Sequence, residues 1–94
     1  MKKQRLLDLI QIDPYSSTPK YLQIVNSILK EIEKKNIVAG DSMPSINEAS
    51  IMLDIARDTV ERGYKHLREL GVIKAVPRRG YFIEHTEFKR QLRV

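Results

Sequence analysis

A small, mostly α-helical domain carrying a β-hairpin wing is the fold class this sequence predicts, and three observations lead to it. Apolar residues recur with a helical period up to Gly71, the period then changes from 3.6 to 2, and 94 residues suffice for one modest core. Hydrophobic residues make up 41% of the chain, too many for a disordered tail. Cysteine is absent, which removes disulfides, thiolate metal sites and cysteine nucleophiles from consideration. No apolar run approaches the ~18 residues of a membrane span, and no charged-then-apolar leader opens the chain, so a cytoplasmic protein with no membrane partner is expected. Small size also argues against an enzyme, because a substrate or cofactor cavity competes with the core for apolar side chains; no cofactor is expected.

Residues 1–17 are expected to form an N-terminal arm, with Leu6, Leu7, Leu9, Ile10 and Ile12 compatible with a short helix or an extended segment. Pro14 to Thr18 is rich in turn formers. Thr18 is the expected N-cap of the first main helix and Pro19 its first helical position. Tyr21, Leu22, Ile24, Val25, Ile28, Leu29 and Ile32 then follow an amphipathic spacing that should end near Lys35 or Asn36. A connector centred on Gly40 leads to Ser45, where Ser45-Ile46-Asn47-Glu48 spells a capping box and opens a short helix ending near Asp54. Another helix is predicted from about Arg57 to Leu70, with Val60, Tyr64, Leu67 and Leu70 inward and Gly71 as its stop. Val72 to Val76 and Tyr81 to Glu84 read as paired strands, joined by a tip of Pro77, Arg78, Arg79 and Gly80.

Three helices followed by a two- to three-stranded antiparallel sheet is the order of a winged helix-turn-helix, predicted for residues 18–84. Gly63 supports it. Glycine inside a helix costs ~1 kcal/mol relative to alanine, which is reasonable where another backbone packs close. A generic three-helix bundle with a trailing hairpin is the alternative. Residues 85–94 are polar and basic and read as a linker toward an effector or dimerisation domain absent from this chain.

The net charge of +5 is unevenly placed: seven basic and seven acidic residues balance from Met1 to Ile55, whereas ten basic residues face five acidic ones from Ala56 onward. A basic surface confined to one region is the electrostatic footprint of a polyanion partner. In a winged helix-turn-helix, the helix beginning at Arg57 enters the major groove. Arg57 is best placed to pair bidentately with guanine. Asp58 can accept from a cytosine amine or stabilise the positive helix end, and Thr59 can touch a thymine methyl or a phosphate. Arg62 and Lys65 suit phosphates better than bases. Glu61 either reads a cytosine or turns aside toward Lys65. Ser45 leaves neighbouring backbone amides open to a phosphate, with Asn47 beside them. Arg78 and Arg79, next to Gly80, have the reach to enter a minor groove.

The stretches PKYLQI (19–24), GDSMPSINEAS (40–50), IARDTV (55–60) and RRGYFI (78–83) resemble, in order, the motifs of the GntR-type bacterial transcription regulators. The resemblance implies a winged helix-turn-helix that binds operator double-stranded DNA as a homodimer, usually joined to a larger metabolite-binding domain. Asn47 stands where the family carries an arginine, Ala56 where it carries a serine, and Asp54 at a common turn glycine, so the bases read should differ from those of better-known members. Two other classes compete. A winged-helix protein-docking module would show apolar side chains on the helix from Arg57. An enzyme would need an arrangement that His66, His85, Ser42 and the carboxylates do not supply in their spacing.

Overall fold

A computed structural model describes residues 3–84, so the expected linker at 85–94 and His85 lie outside the described residues. The opening segment is a helix, α1 (Lys3–Leu9), and it belongs to the core: Leu6, Leu7 and Ile10 are buried. The expected three helices are therefore preceded by a fourth.

The second helix, α2 (Lys20–Glu33), buries Ile24, Val25, Ile28 and Ile32 along one stripe. Its start corrects the expected cap. Pro19, with ψ 145, occupies the N-cap position and no side chain caps the helix; the Pro19 carbonyl accepts the amides of Leu22 and Gln23. Thr18 is displaced outward because Gln23 ties down the preceding loop. The Gln23 Nε2 donates to the carbonyls of Thr18 (2.9 Å) and Asp13 (3.1 Å), while its Oε1 accepts the Asp13 amide at 2.6 Å. The glutamine of the PKYLQI motif thus staples the arm to α2. The helix also ends earlier than expected. Lys35 takes φ 64, and the amides of Lys35 and Asn36 return to the carbonyls of Ile32 and Glu31, a Schellman closure built on a lysine.

Beyond Gly40 come β1 (Ser42–Met43), α3 (Ile46–Leu53), α4 (Arg57–Glu69), β2 (Ile73–Val76) and β3 (Gly80–Ile83). The three strands form one antiparallel sheet in the order β1-β3-β2, with Met43 and Ala75 both opposite Tyr81. Asp54 closes α3 in the left-handed region (φ 57), a conformation that aspartate tolerates better than most residues. The Ser50 hydroxyl donates to the Ile55 carbonyl at 2.6 Å, fixing the turn into α4. Val60, Gly63, Tyr64 and Leu67 are the buried positions of α4. Leu70, expected inward, is 37% exposed, because it is the C-cap, where the chain leaves the helix and turns toward β2 through Gly71 (φ 78). A Cβ at Gly63 would lie 3.2 Å from the Tyr21 carbonyl oxygen and 3.4 Å from the Ile24 Cβ, so the glycine allows α2 and α4 to cross closely. Among the described residues, no helix is long and apolar enough to cross a membrane.

Candidate nucleic-acid interface

The α3 end is held by the predicted capping box. The Ser45 hydroxyl accepts the Glu48 amide at 2.9 Å, and the Glu48 carboxylate accepts the Ser45 amide at 2.8 Å. The Ser45 side chain is therefore committed to the helix, and the amides of Ile46 and Asn47 are the first-turn donors outside the box. Asn47 is exposed beside them.

On α4 the core-facing stripe leaves Arg57, Asp58, Glu61, Arg62 and Lys65 exposed, with Thr59 half-buried. Arg57 opens the helix after Ala56, which offers no side-chain cap. A cation at the positive end of a helix is unfavourable by roughly 0.3–1 kcal/mol, so local stability does not explain Arg57, whereas Asp58 fits it. Arg62 has a partner that sequence reasoning missed. Its guanidinium carbon lies 5.3 Å from the ring centroid of Tyr21, and the His66 ring meets the same ring edge-on at 6.5 Å. The only sequence signal was the i, i+4 spacing of Arg62 and His66, which puts both on one side of α4.

The wing tip is a tight turn in which the Arg79 amide donates to the Val76 carbonyl at 2.9 Å. Pro77 suits the first corner, but the second holds Arg78 at φ 66, where glycine or asparagine is preferred. An arginine there carries strain on the order of 1 kcal/mol. Pro77, Arg78, Arg79 and Gly80 are all exposed.

A groove of about 180 Å³ is lined by Ile46, Glu61, Tyr64, Lys65, Arg68 and Tyr81; of the sequence-predicted site residues it takes in Lys65, while Asn47, Arg57, Arg62, Arg78 and Arg79 lie outside its lining. It joins the start of α3, the flank of α4 and the root of the wing. Arg68, absent from the sequence-predicted set, adds a second cation beside Lys65; its i+3 spacing from Lys65 was the available sign. At the floor, the Tyr64 hydroxyl donates to the Pro44 carbonyl at 2.6 Å, and its ring packs edge-on against Tyr81 with centroids 4.9 Å apart. Burial, then Tyr81 and Glu48 nearby, push the Tyr64 hydroxyl well above the ordinary tyrosine range.

That shift has a stability consequence. Below about pH 10 Tyr64 is neutral in both folded and unfolded chains, and its full contribution is present. Above that, the unfolded chain ionises while the folded one resists, and stability falls by about 1.4 kcal/mol per pH unit. Urea denaturation between pH 8 and 11 should show this slope in the wild type and its loss in Tyr64→Phe; parallel curves would exclude Tyr64 as the cause.

Residues 20–83 match the family described as bacterial regulatory proteins, gntR family. The chain belongs to the GntR family. It is 41% identical over 79 residues to the HTH-type transcriptional repressor YtrA of Bacillus subtilis (strain 168), an overlap of 83% of this chain and 60% of that relative. This GntR domain thus spans about three fifths of that repressor. Among solved structures, YtrA from Sulfolobus acidocaldarius, a GntR-family transcription factor, superposes with a TM-score of 0.78 at 36% identity, covering 90% of this chain and 89% of that one. The AraR DNA-binding domain in complex with operator ORX1 gives 0.66 at 25% identity, covering 78% and 90%. The fold is the winged helix-turn-helix predicted from sequence, and GntR membership makes the chain a regulator's domain, not an enzyme.

Proposed function

We propose that this domain binds double-stranded DNA sequence-specifically in a cytoplasmic transcription regulator that works as a homodimer and answers a metabolite through a domain beyond this chain. The carrying observation is that the first residue of α3, the cationic flank of α4 and the root of the arginine-tipped wing line one groove. In this reading Arg57 pairs with guanine and Asp58 accepts from cytosine. Thr59 contacts a thymine methyl or phosphate. Lys65, Arg62 leaning on Tyr21, and Arg68 neutralise phosphates, and the amides near Ser45 and Asn47 hold another. Arg78 and Arg79, with Gly80 keeping the turn tight, enter the adjacent minor groove. The AraR neighbour, solved with its operators, supports the assignment. A homodimer would place two copies on half-sites one helical turn apart.

A protein-docking module would expose apolar side chains along the outer face of α4. The exposed large apolar residues among those described are Tyr15, Val38, Ile51, Met52 and Leu70, none on that face. Selection from random duplexes should recover an enriched motif, and log K for that motif should fall against log[salt] with a slope near −0.9 per phosphate contacted. Failure to enrich any sequence, together with amide resonances unmoved by duplex, would defeat the reading.

A further inference from the structure

We propose that Tyr64 is the positioning residue that holds the α3 amide end and the wing in register with α4 for DNA binding; this rests on the interface described under the proposed function. The inward stripe of α4 is otherwise Val60, Gly63 and Leu67, side chains that fill space without requiring a polar partner. A phenol at 1% exposure must find an acceptor or leave a desolvated hydroxyl unpaired. It finds one twenty residues away in sequence, the Pro44 carbonyl immediately before the N-cap Ser45. Pro44 is fully buried and lies between β1 and α3, so this bond fixes the point from which α3 starts. The ring of the same side chain abuts Tyr81, the residue after Gly80 at the root of the wing, which like Phe82 is paired with both β1 and β2. One side chain of α4 therefore touches the base of each other element in the interface.

The two contacts are chemically separable. Tyr64→Phe keeps the ring and its packing on Tyr81 and deletes only the hydrogen bond to Pro44. Tyr81→Leu deletes the edge-on ring contact at a half-buried position and leaves the hydrogen bond. In both, the cation set on α4 is untouched.

The test is a set of double-mutant cycles on a duplex selected with the wild-type protein, below the melting transition so that every variant is folded. Tyr64→Phe alone should weaken binding about three- to tenfold, the scale of one hydrogen bond. The loss caused by Asn47→Ala should shrink to less than about twofold in the Tyr64→Phe background, because the α3 end is no longer held in place. The loss caused by Arg57→Ala should stay unchanged there, since Arg57 shares a helix with Tyr64. In the Tyr81→Leu background, Arg79→Ala should lose its effect while Asn47→Ala keeps it. A merely structural role for Tyr64 would weaken every contact by the same factor. Asn47→Ala losing as much affinity in Tyr64→Phe as in wild type would overturn the positioning role and leave the interface standing. Asn47→Ala and Arg79→Ala having no effect even in the wild type would overturn both.

Discussion

Arg57→Ala should lower the preference for a selected duplex over random DNA by about 1–3 kcal/mol, five- to 150-fold in the ratio of affinities, without lowering the melting temperature. The two halves of this expectation come from the same geometry. Arg57 is exposed at the first position of α4, where a major groove would meet it. Its charge opposes the helix dipole there, so its removal costs the fold nothing and relieves a small repulsion. Lys65→Ala provides the contrast. A phosphate contact carries no sequence information, so binding to selected and random duplexes should weaken together and the salt slope should fall by about 0.9. Competition titrations at two salt concentrations distinguish the pair. Unchanged discrimination in Arg57→Ala would transfer base reading to another residue, with Asp58 the next candidate.

Gly63→Leu should be the most damaging substitution for the fold, at about 3 kcal/mol, the upper end of the overpacking range. A Cβ is already a tight fit there: its nearest neighbour would be the Tyr21 carbonyl oxygen at 3.2 Å, backbone that yields only with α2. Three further carbons require α2 and α4 to separate. Ile24, Ile28, Val60 and Leu67, all fully buried, would lose contact in turn. For a domain of this size the loss corresponds to a melting temperature lower by roughly 12–24 °C. Gly63→Ala should lie near neutral, because a gain of up to ~1 kcal/mol in helix propensity offsets a contact that needs a shift of a few tenths of an ångström. Thermal melts of both variants check this, and a leucine tolerated without loss would mean the helices do not cross so closely. The damage should reach binding as well, since displacing Tyr21 removes the ring on which Arg62 rests.

What could be read in the sequence was whatever short-range chemistry decides. The Ser45–Glu48 box is written in four consecutive residues, and both hydrogen bonds are present. The change of period after Gly71 marks the hairpin, and the cost of a helical glycine marks the crossing at Gly63. Contacts that form only when distant segments meet could not be read. The run from Leu6 to Ile12 has no decisive period, and its helix is settled by burial of Leu6, Leu7 and Ile10. Thr18 has the right chemistry for an N-cap, yet Gln23 binds its carbonyl and the cap falls on Pro19. Tyr64 registered only as a core residue, because its acceptor stands twenty positions away. The exposed face of α4 was legible from the helical period, whereas the Tyr21 partner of Arg62 needs the angle between two helices.

The chain departs from the sheet along its middle strand. β3 runs between β1 and β2, and the amide of Glu84, just past its end, is tied to the Val72 carbonyl. A load applied beyond Glu84 must shear two ladders together, where a peripheral strand would peel away bond by bond. Torque entering from that side is therefore delivered to the hairpin and to the segment ahead of Ser45 in the same stroke.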